Sequence, residues 1–406
     1  MRGLRFCGYI YAYNCSKQQY DLFHPDLVQC MKILITNRSA NNSMKYFYTF
    51  LLILLSVITK AQLKPGFDAN EYLELLRISR QQADILKDDH TPKPIQYHRV
   101  YRSNEGPLKN RWDLWLNAQN DIAVISIRGT ANDEISWLEN FYAAMVPANG
   151  QLHISDTSTF IYHLANDPKA NVHIGWLLGL ADLSKTIIPQ VKKLNAEKGI
   201  KNFIIMGHSQ GAAIAYLLRS YIADLQNNKQ LPADIVFKTY CSAPPKPGNT
   251  YYAYDYNYLT RGGWGIAVIN AADWVPQTPF SIQTIKDFNK PNPFMNVDDV
   301  IKKQSLFVRL YMQHVYNRLR KTPEKAQKVN EKYLGKTVYT FIKKKLPQYI
   351  EPVYANDNSY TSCGLPVILM PDDDYRAKFP DKPDDIFVHH MFWSYYYLAQ
   401  KEYLNQ

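Results

Sequence analysis

Between residues 71 and 85, apolar side chains recur at Leu73, Leu76, Ile78 and Ala83 among charged neighbours. That period predicts an amphipathic helix packed early against the core, covering one edge of a sheet. Residues 111–117 set Trp112, Leu114 and Leu116 against polar neighbours, with Trp115 breaking the alternation, and residues 122–127 form a nearly continuous apolar run. Both predict strands, the second buried on both faces. A helix-length segment at 173–196 precedes a short apolar strand at 203–206, and a small-residue helix at 212–222 follows at once. Residues 235–240 and 266–269 supply two further strands, separated by the turn-forming run Pro244-Pro245-Lys246-Pro247-Gly248. Strands alternating with helices predict an α/β fold: a mostly parallel central sheet with helices on both faces.

From Ser281 to about Pro347 the texture changes to basic helices, in which Val300, Phe307, Leu310, His314 and Leu319 recur near helical spacing. We read residues 282–360 as a helical insertion before the last strand, at 364–370. His314, on the apolar stripe, is expected to be a hydrogen-bonded core histidine. Residues 386–398 read as a loop entering an aromatic-rich helix. No internal repeat or low-complexity tract interrupts the chain.

The amino-terminal region reads differently. Met44-Lys45-Tyr46 gives a basic start, residues 47–58 an apolar run, and Thr59-Lys60-Ala61 a small-residue cleavage signal. This is the pattern of a secretory signal peptide, and the run falls short of the roughly 20 residues that span a bilayer. It predicts initiation at Met44, a leader in residues 1–61 and one mature domain over residues 62–406, secreted or periplasmic. Of 5 cysteines only Cys241 and Cys363 lie beyond Ala61, which leaves room for at most one disulfide.

Length and a hydrophobic content of 46% are ample for a large buried core and exclude global disorder. The formal charge of +11 is unevenly placed, because residues 282–350 hold 15 Lys plus Arg against 5 Asp plus Glu. Such a block is either a solvated helix face or a peripheral contact with an anionic membrane surface. No nucleic-acid motif accompanies it.

The sharpest chemical signal is Gly207-His208-Ser209-Gln210-Gly211, a G-x-S-x-G pattern between an apolar strand and a small-residue helix. Glycines two positions either side of the serine allow a tight strand-to-helix turn. The helix start then aims N–H groups at the oxyanion that forms on attack. A serine nucleophile needs a base, and the base needs an acid to orient it. Asp273 follows the apolar strand at 266–269, at the end of the sheet where ligands bind. Of the histidines beyond it, His389 and His390 share a loop after the last predicted strand, and either is placed to act as base.

Several segments together resemble the class 3 lipases, the group typified by fungal triacylglycerol lipases, over residues 110–280 and again near 385. The α/β-hydrolase fold is what this resemblance implies. Arg128-Gly129-Thr130 is similar to the family's Arg-Gly-Ser/Thr turn, which would give Thr130 an oxyanion role beside the Gln210 N–H. Ser136-Trp137-Leu138-Glu139-Asn140 looks like its lid, led by Trp137. His173-Ile174-Gly175-Trp176 is similar to its structural His-x-Gly-aromatic signature, and Ala243-Pro244 with Gly248-Asn249 to its Gly-x-Pro-x-x-Gly-Asn loop. Asp273-Trp274-Val275-Pro276 fits its catalytic Asp segment. Met391-Phe392-Trp393 resembles the aromatic run after its catalytic histidine, which selects His390. Gln210 stands where the family often has Leu, and Ala212 where it often has Gly, pointing to a more polar entrance.

The resemblance implies a lipid or other carboxylic ester as substrate, with a phospholipase or soluble esterase as the near alternative. A non-catalytic envelope or lipid-binding protein of the same fold is the alternative from another class. The sequence contains no H-E-x-x-H, C-x-x-C, Walker loop or strand-linked G-x-G-x-x-G, so neither metal nor cofactor is expected. Asp372-Asp373-Asp374 reads as a solvated acidic turn.

Overall fold

The apolar runs assemble into a seven-stranded sheet whose spatial order follows the chain. Its strands are β1 (Tyr97–Arg102), β2 (Trp112–Asn117), β3 (Ile122–Ile127), β4 (Asn202–His208), β5 (Val236–Ser242), β6 (Gly265–Asn270) and β7 (Leu365–Leu369). β1, β2 and β3 pair antiparallel, and every pair from β3 to β7 is parallel. The computed structural model describes residues 63–82 and 90–404, all within one compact unit. The expected leader, the start at Met44, and Cys7, Cys15 and Cys30 lie outside the described residues.

Both sheet faces are buried, which is why the central strands read as nearly continuous apolar runs, interrupted at Ser126, Lys238 and Thr239. One face packs Trp112, Leu114, Ile125, Phe203, Ile205 and Phe237 against α3 (Ile174–Lys198) and α4 (Gln210–Asn227). The other sets Trp115, Val124, Ile204, Met206, Ile266 and Val268 against α1 (Ala69–Arg80) and α8 (Phe392–Tyr403). Trp115 therefore fills the second core, so it does not break a one-faced pattern. α1 lies across a sheet face and not along an edge, with Tyr72, Leu73, Leu75 and Leu76 buried. Ala83 and Ile85, expected on its last turn, lie outside the described residues. This is the α/β-hydrolase arrangement, with helices on both faces of a mostly parallel sheet.

Several elements carry too little apolar pattern to be read from the sequence. β1 is largely exposed. A four-stranded sheet joins Met145–Pro147, Asn171–His173, Gly248–Asn249 and Tyr360–Thr361, each three residues or fewer. A hairpin at Asn149–Ser155 and Ser158–His163, and helix α5 (Thr250–Leu259), complete this side. Cys241 and Cys363 are both buried and free.

The insertion is helical as expected, running from 3-10 turns into α6 (Leu306–Asn330), a π-helical segment (Glu331–Thr337) and α7 (Val338–Lys345). His314 is not a core histidine. It is exposed, as are Phe307 and Leu310, because Gln327 is the one buried residue of α6 and its apolar stripe faces solvent.

Candidate active site

β4 delivers the chain to Ser209, which turns into α4 with φ 58° and ψ −129°. A non-glycine residue held there stores on the order of 1–3 kcal/mol, repaid by the surrounding packing. Gly207 and Gly211 make the turn possible. A methyl group on Gly207 would stand 2.2 Å from the Gly211 carbonyl oxygen, and one on Gly211 2.4 Å from that of Ile127. The Ser209 N–H donates to the Ser242 carbonyl at 2.9 Å, pinning the turn to β5. The Gln210 N–H, first in α4, lies in the turn of a helix where donors have no intrahelical acceptor. Ser209 opens on a cavity of about 630 Å³, lined also by Thr130, Trp137, His208, Phe387 and His390.

Asp273 lies just beyond β6 and is buried. Its Oδ2 accepts from His390 Nδ1 at 2.7 Å and from the Tyr395 hydroxyl at 2.8 Å, while Oδ1 accepts from the Val275 N–H at 3.0 Å. Because a carboxylate only accepts, the proton sits on His390 Nδ1 and the Nε2 lone pair is left for the cavity. Burial pushes the Tyr395 hydroxyl well above its ordinary range, so it stays a donor. His389 points elsewhere, to the Tyr375 hydroxyl at 2.8 Å and Asp381 at 2.7 Å. The structure thus joins His390 to Asp273 and leaves His389 outside. The Ser209 hydroxyl makes no hydrogen bond to a described residue; free enzymes commonly tighten the nucleophile–base contact only with substrate bound.

His208 was singled out in the sequence only as a motif position. It is held neutral, pushed down to about 3 by burial and then by neighbouring His390. Its Nε2–H donates to the His390 carbonyl at 2.9 Å, and its Nδ1 accepts from Ser242 Oγ at 3.0 Å, which accepts in turn from Tyr72. Tyr395 and Phe387 were also missed. The one available signal for Tyr395 was its place among aromatics five residues after His390.

On the opposite wall, helix α2 (Glu134–Phe141) carries Trp137 and Asn140. Asn140 Nδ2 donates to Thr130 Oγ1 at 2.9 Å, leaving the Thr130 hydroxyl proton free to point into the cavity. Asn140 is itself fixed by the start of α3. Trp176 Nε1 donates to its side-chain oxygen at 2.9 Å, and His173 Nε2 to its carbonyl at 3.1 Å. His173 also caps α3 by accepting from the Trp176 N–H, and burial pushes its pKa down to about 3. The His-x-Gly-Trp signature is therefore a clamp on Asn140. The Trp137 ring meets Phe387 at 5.8 Å, and Phe387 stands 5.4 Å from Trp274 and 5.8 Å from His390.

Gln210 does not make the entrance polar. Its side chain is buried and bonds α2 instead, donating to the Ser136 carbonyl at 3.2 Å and accepting from Ser136 Oγ at 3.4 Å. The acidic turn is spent on structure: Asp372 caps a short helix, and Asp372 and Asp374 pair with Lys401. Among the described residues no cluster of His, Cys, Asp or Glu is arranged to hold a metal ion.

Residues 124–283 match the family described as Lipase (class 3), a span that holds Ser209, Asp273, Thr130 and α2. Over that segment the chain is similar to the class 3 lipases. A secreted mono- and diacylglycerol lipase of Malassezia globosa is 37% identical over 107 residues, covering 26% of this chain and 32% of the relative. A second such lipase of the same fungus is 26% identical over 189 residues, 44% of this chain and 54% of the relative. The chain thus spans between about a third and about half of the length of these curated relatives. The native Rhizomucor miehei lipase propeptide complex superposes with a TM-score of 0.39 and 16% identity, covering 53% of this chain and 65% of that one. His390 and Tyr395 lie beyond the matched segment, and the geometry brings them to Asp273 within it.

Proposed function

We propose that this protein is an exported lipase that hydrolyses acylglycerols or related lipid esters through an acyl-enzyme on Ser209. The observation that carries this reading is the buried Asp273–His390 pair facing the same cavity as a serine held at positive φ. The mono- and diacylglycerol activity named for the fungal relatives supports the choice of substrate, as does the apolar wall of Trp137 and Phe387.

His390 Nε2 takes the Ser209 proton as Oγ attacks the ester carbonyl. The oxyanion is held by the Gln210 N–H and by Thr130, and Asp273 stabilises the imidazolium. Collapse breaks the acyl–oxygen bond, and His390 returns the proton to the departing alcohol. Water, deprotonated by His390, then releases the acid and restores Ser209. Trp137 on α2 is the lid residue in this scheme. Residues 1–61 act as a removable leader, and residues 62–406 as one hydrolase domain carrying the insertion.

Hydrolysis of p-nitrophenyl butyrate and palmitate tests the proposal. Residues 62–406 should turn over both esters, with Ser209→Ala and His390→Ala each falling by on the order of 10⁴-fold or more. Activity that survives Ser209→Ala would sink the mechanism.

A further inference from the structure

α6 exposes every residue from Leu306 to Tyr311, and one stripe stays exposed along its later turns. Phe307, Leu310, Tyr311, His314, Arg318, Lys321, Lys325 and Lys328 lie on it, three or four residues apart but for the adjacent Leu310 and Tyr311, and all are exposed. The stripe is divided along the helix axis: its first turns are apolar, with Phe307 84%, Leu310 60% and Tyr311 71% exposed, and its later turns are cationic. Among the described residues nothing in the sheet or its helices covers it. The far end of the same helical rod is fixed, since the Ala144 N–H, three residues past α2, donates to the Leu334 carbonyl, and α7 packs on α2.

We propose that this stripe docks the protein on an anionic lipid surface, with Phe307 and Leu310 entering the acyl boundary and Arg318, Lys321, Lys325 and Lys328 meeting the head groups. The inference deepens the lipase reading and rests on it for its purpose. Apolar side chains beside a cationic run fit an interface that offers hydrocarbon and negative charge together. The excess of basic residues over residues 282–350 supplies the matching charge. A second copy is a poor occupant, because an isologous contact through the whole stripe sets its four cations either against their own symmetry mates or against the apolar turns of the other copy, and neither pairs their charge. Docking here takes hold of a rod whose other end rests on α2, the helix that carries Trp137.

The experiment is vesicle flotation of full-length Ser209→Ala protein, which cannot consume the lipid, on phosphatidylcholine vesicles with and without phosphatidylglycerol. Four interfacial cations predict a preference for the anionic vesicles on the order of a hundred-fold or more. Arg318→Gln, Lys321→Gln, Lys325→Gln and Lys328→Gln combined should abolish the preference. Phe307→Ser with Leu310→Ser should weaken binding to both vesicle types. In the Ser209 background both variants should hydrolyse soluble p-nitrophenyl butyrate at the unaltered rate, so that failure of docking and failure of the hydrolase reading are separately visible. Absence of vesicle binding, or binding unchanged in both variants, would overturn the proposal. So would a dimer in sedimentation that Phe307→Ser with Leu310→Ser dissolves, which would assign the stripe to a second copy.

Discussion

Gly175 sits where the backbone of α2 crosses the start of α3. A methyl group there would stand 1.9 Å from the Glu139 carbonyl oxygen and 3.1 Å from His173 Cε1. The obstructing atom belongs to the main chain, so no side chain can swing aside, and α2 must retreat by roughly 1.5 Å to restore ordinary contact. Asn140, next in the chain, moves with it and takes along the hydrogen bond that fixes Thr130 Oγ1. Overpacking of this kind costs about 1–3 kcal/mol of stability. A misplacement of about 1 Å in the catalytic constellation costs on the order of 10²-fold in rate. Steady-state kinetics of Gly175→Ala on p-nitrophenyl butyrate should show kcat/KM reduced by roughly a hundred-fold, mostly in kcat, since the role proposed for Thr130 is on the oxyanion and not on the bound ester. Calorimetry should show a lowered but cooperative transition. A folded Gly175→Ala protein with full activity would refute the coupling from α3 through Asn140 to Thr130.

Tyr395→Phe keeps the ring and removes one donor from Asp273, so it should cost about 1.5–3 kcal/mol of stability and roughly ten-fold in kcat; an unchanged rate and melting curve would show that Asp273 does not depend on it. Gln210→Leu keeps the backbone donor but cuts both bonds to Ser136, so the rate on a small ester should hold within a few-fold. Hydrogen exchange in α2 should rise, and equal exchange in both proteins would dismiss Gln210 as the tether. His173 and His208 stay neutral when folded but titrate near about 6.5 when unfolded. Their contribution is therefore complete above that pH and declines on acidification toward about 3, by about 1.4 kcal/mol per pH unit for each. Burial raises the pKa of Glu139 and opposes this trend, so the comparison should be with His208→Gln, whose urea-unfolding stability should change less between pH 7 and pH 5, by about 2 kcal/mol in total. Parallel curves for the two proteins would contradict a neutral His208.

The parts of the fold legible in the sequence are those where burial is complete. β3, β4 and β6 are almost wholly apolar on both faces, β5 is buried on both in spite of Lys238 and Thr239, and the nucleophile turn is written in its glycines. The small second sheet was illegible because its strands are too short to show a period and draw their stability from neighbours far along the chain, as Gly248 does from Val172 and Thr361. The stripe on α6 misled for a related reason: periodicity reports a shared face but not what the face meets. His314 shared the face of Phe307 and Leu310, and that face is turned outward. Within the site, the donors acting through others were hidden, because Tyr395 and Asn140 matter through bonds to Asp273 and Thr130 that no linear spacing reveals.

His390 and Asp273 lie 117 residues apart, yet their hydrogen bond is 2.7 Å long. The insertion cannot disturb it, because β6 and β7 are parallel neighbours and the intervening chain leaves the sheet and returns to it. What remains is to place a loop residue with the accuracy of a strand residue, and two bonds do so. Asn270, the last residue of β6, donates through Nδ2 to the His389 carbonyl at 2.8 Å, and His208 at the end of β4 donates to the His390 carbonyl. Consecutive carbonyls of the loop are thereby tied to the ends of two sheet strands. The second tie requires a proton on Nε2, which the Ser242 hydroxyl keeps there by donating to Nδ1, while burial keeps the ring neutral; a carboxylate partner would draw the proton of a neutral ring to Nδ1. Two histidines 4.9 Å apart thus divide the work by their partners alone: the one bonded to Asp273 is free to exchange a proton, and the one bonded to hydroxyls is kept from doing so and holds its neighbour in place.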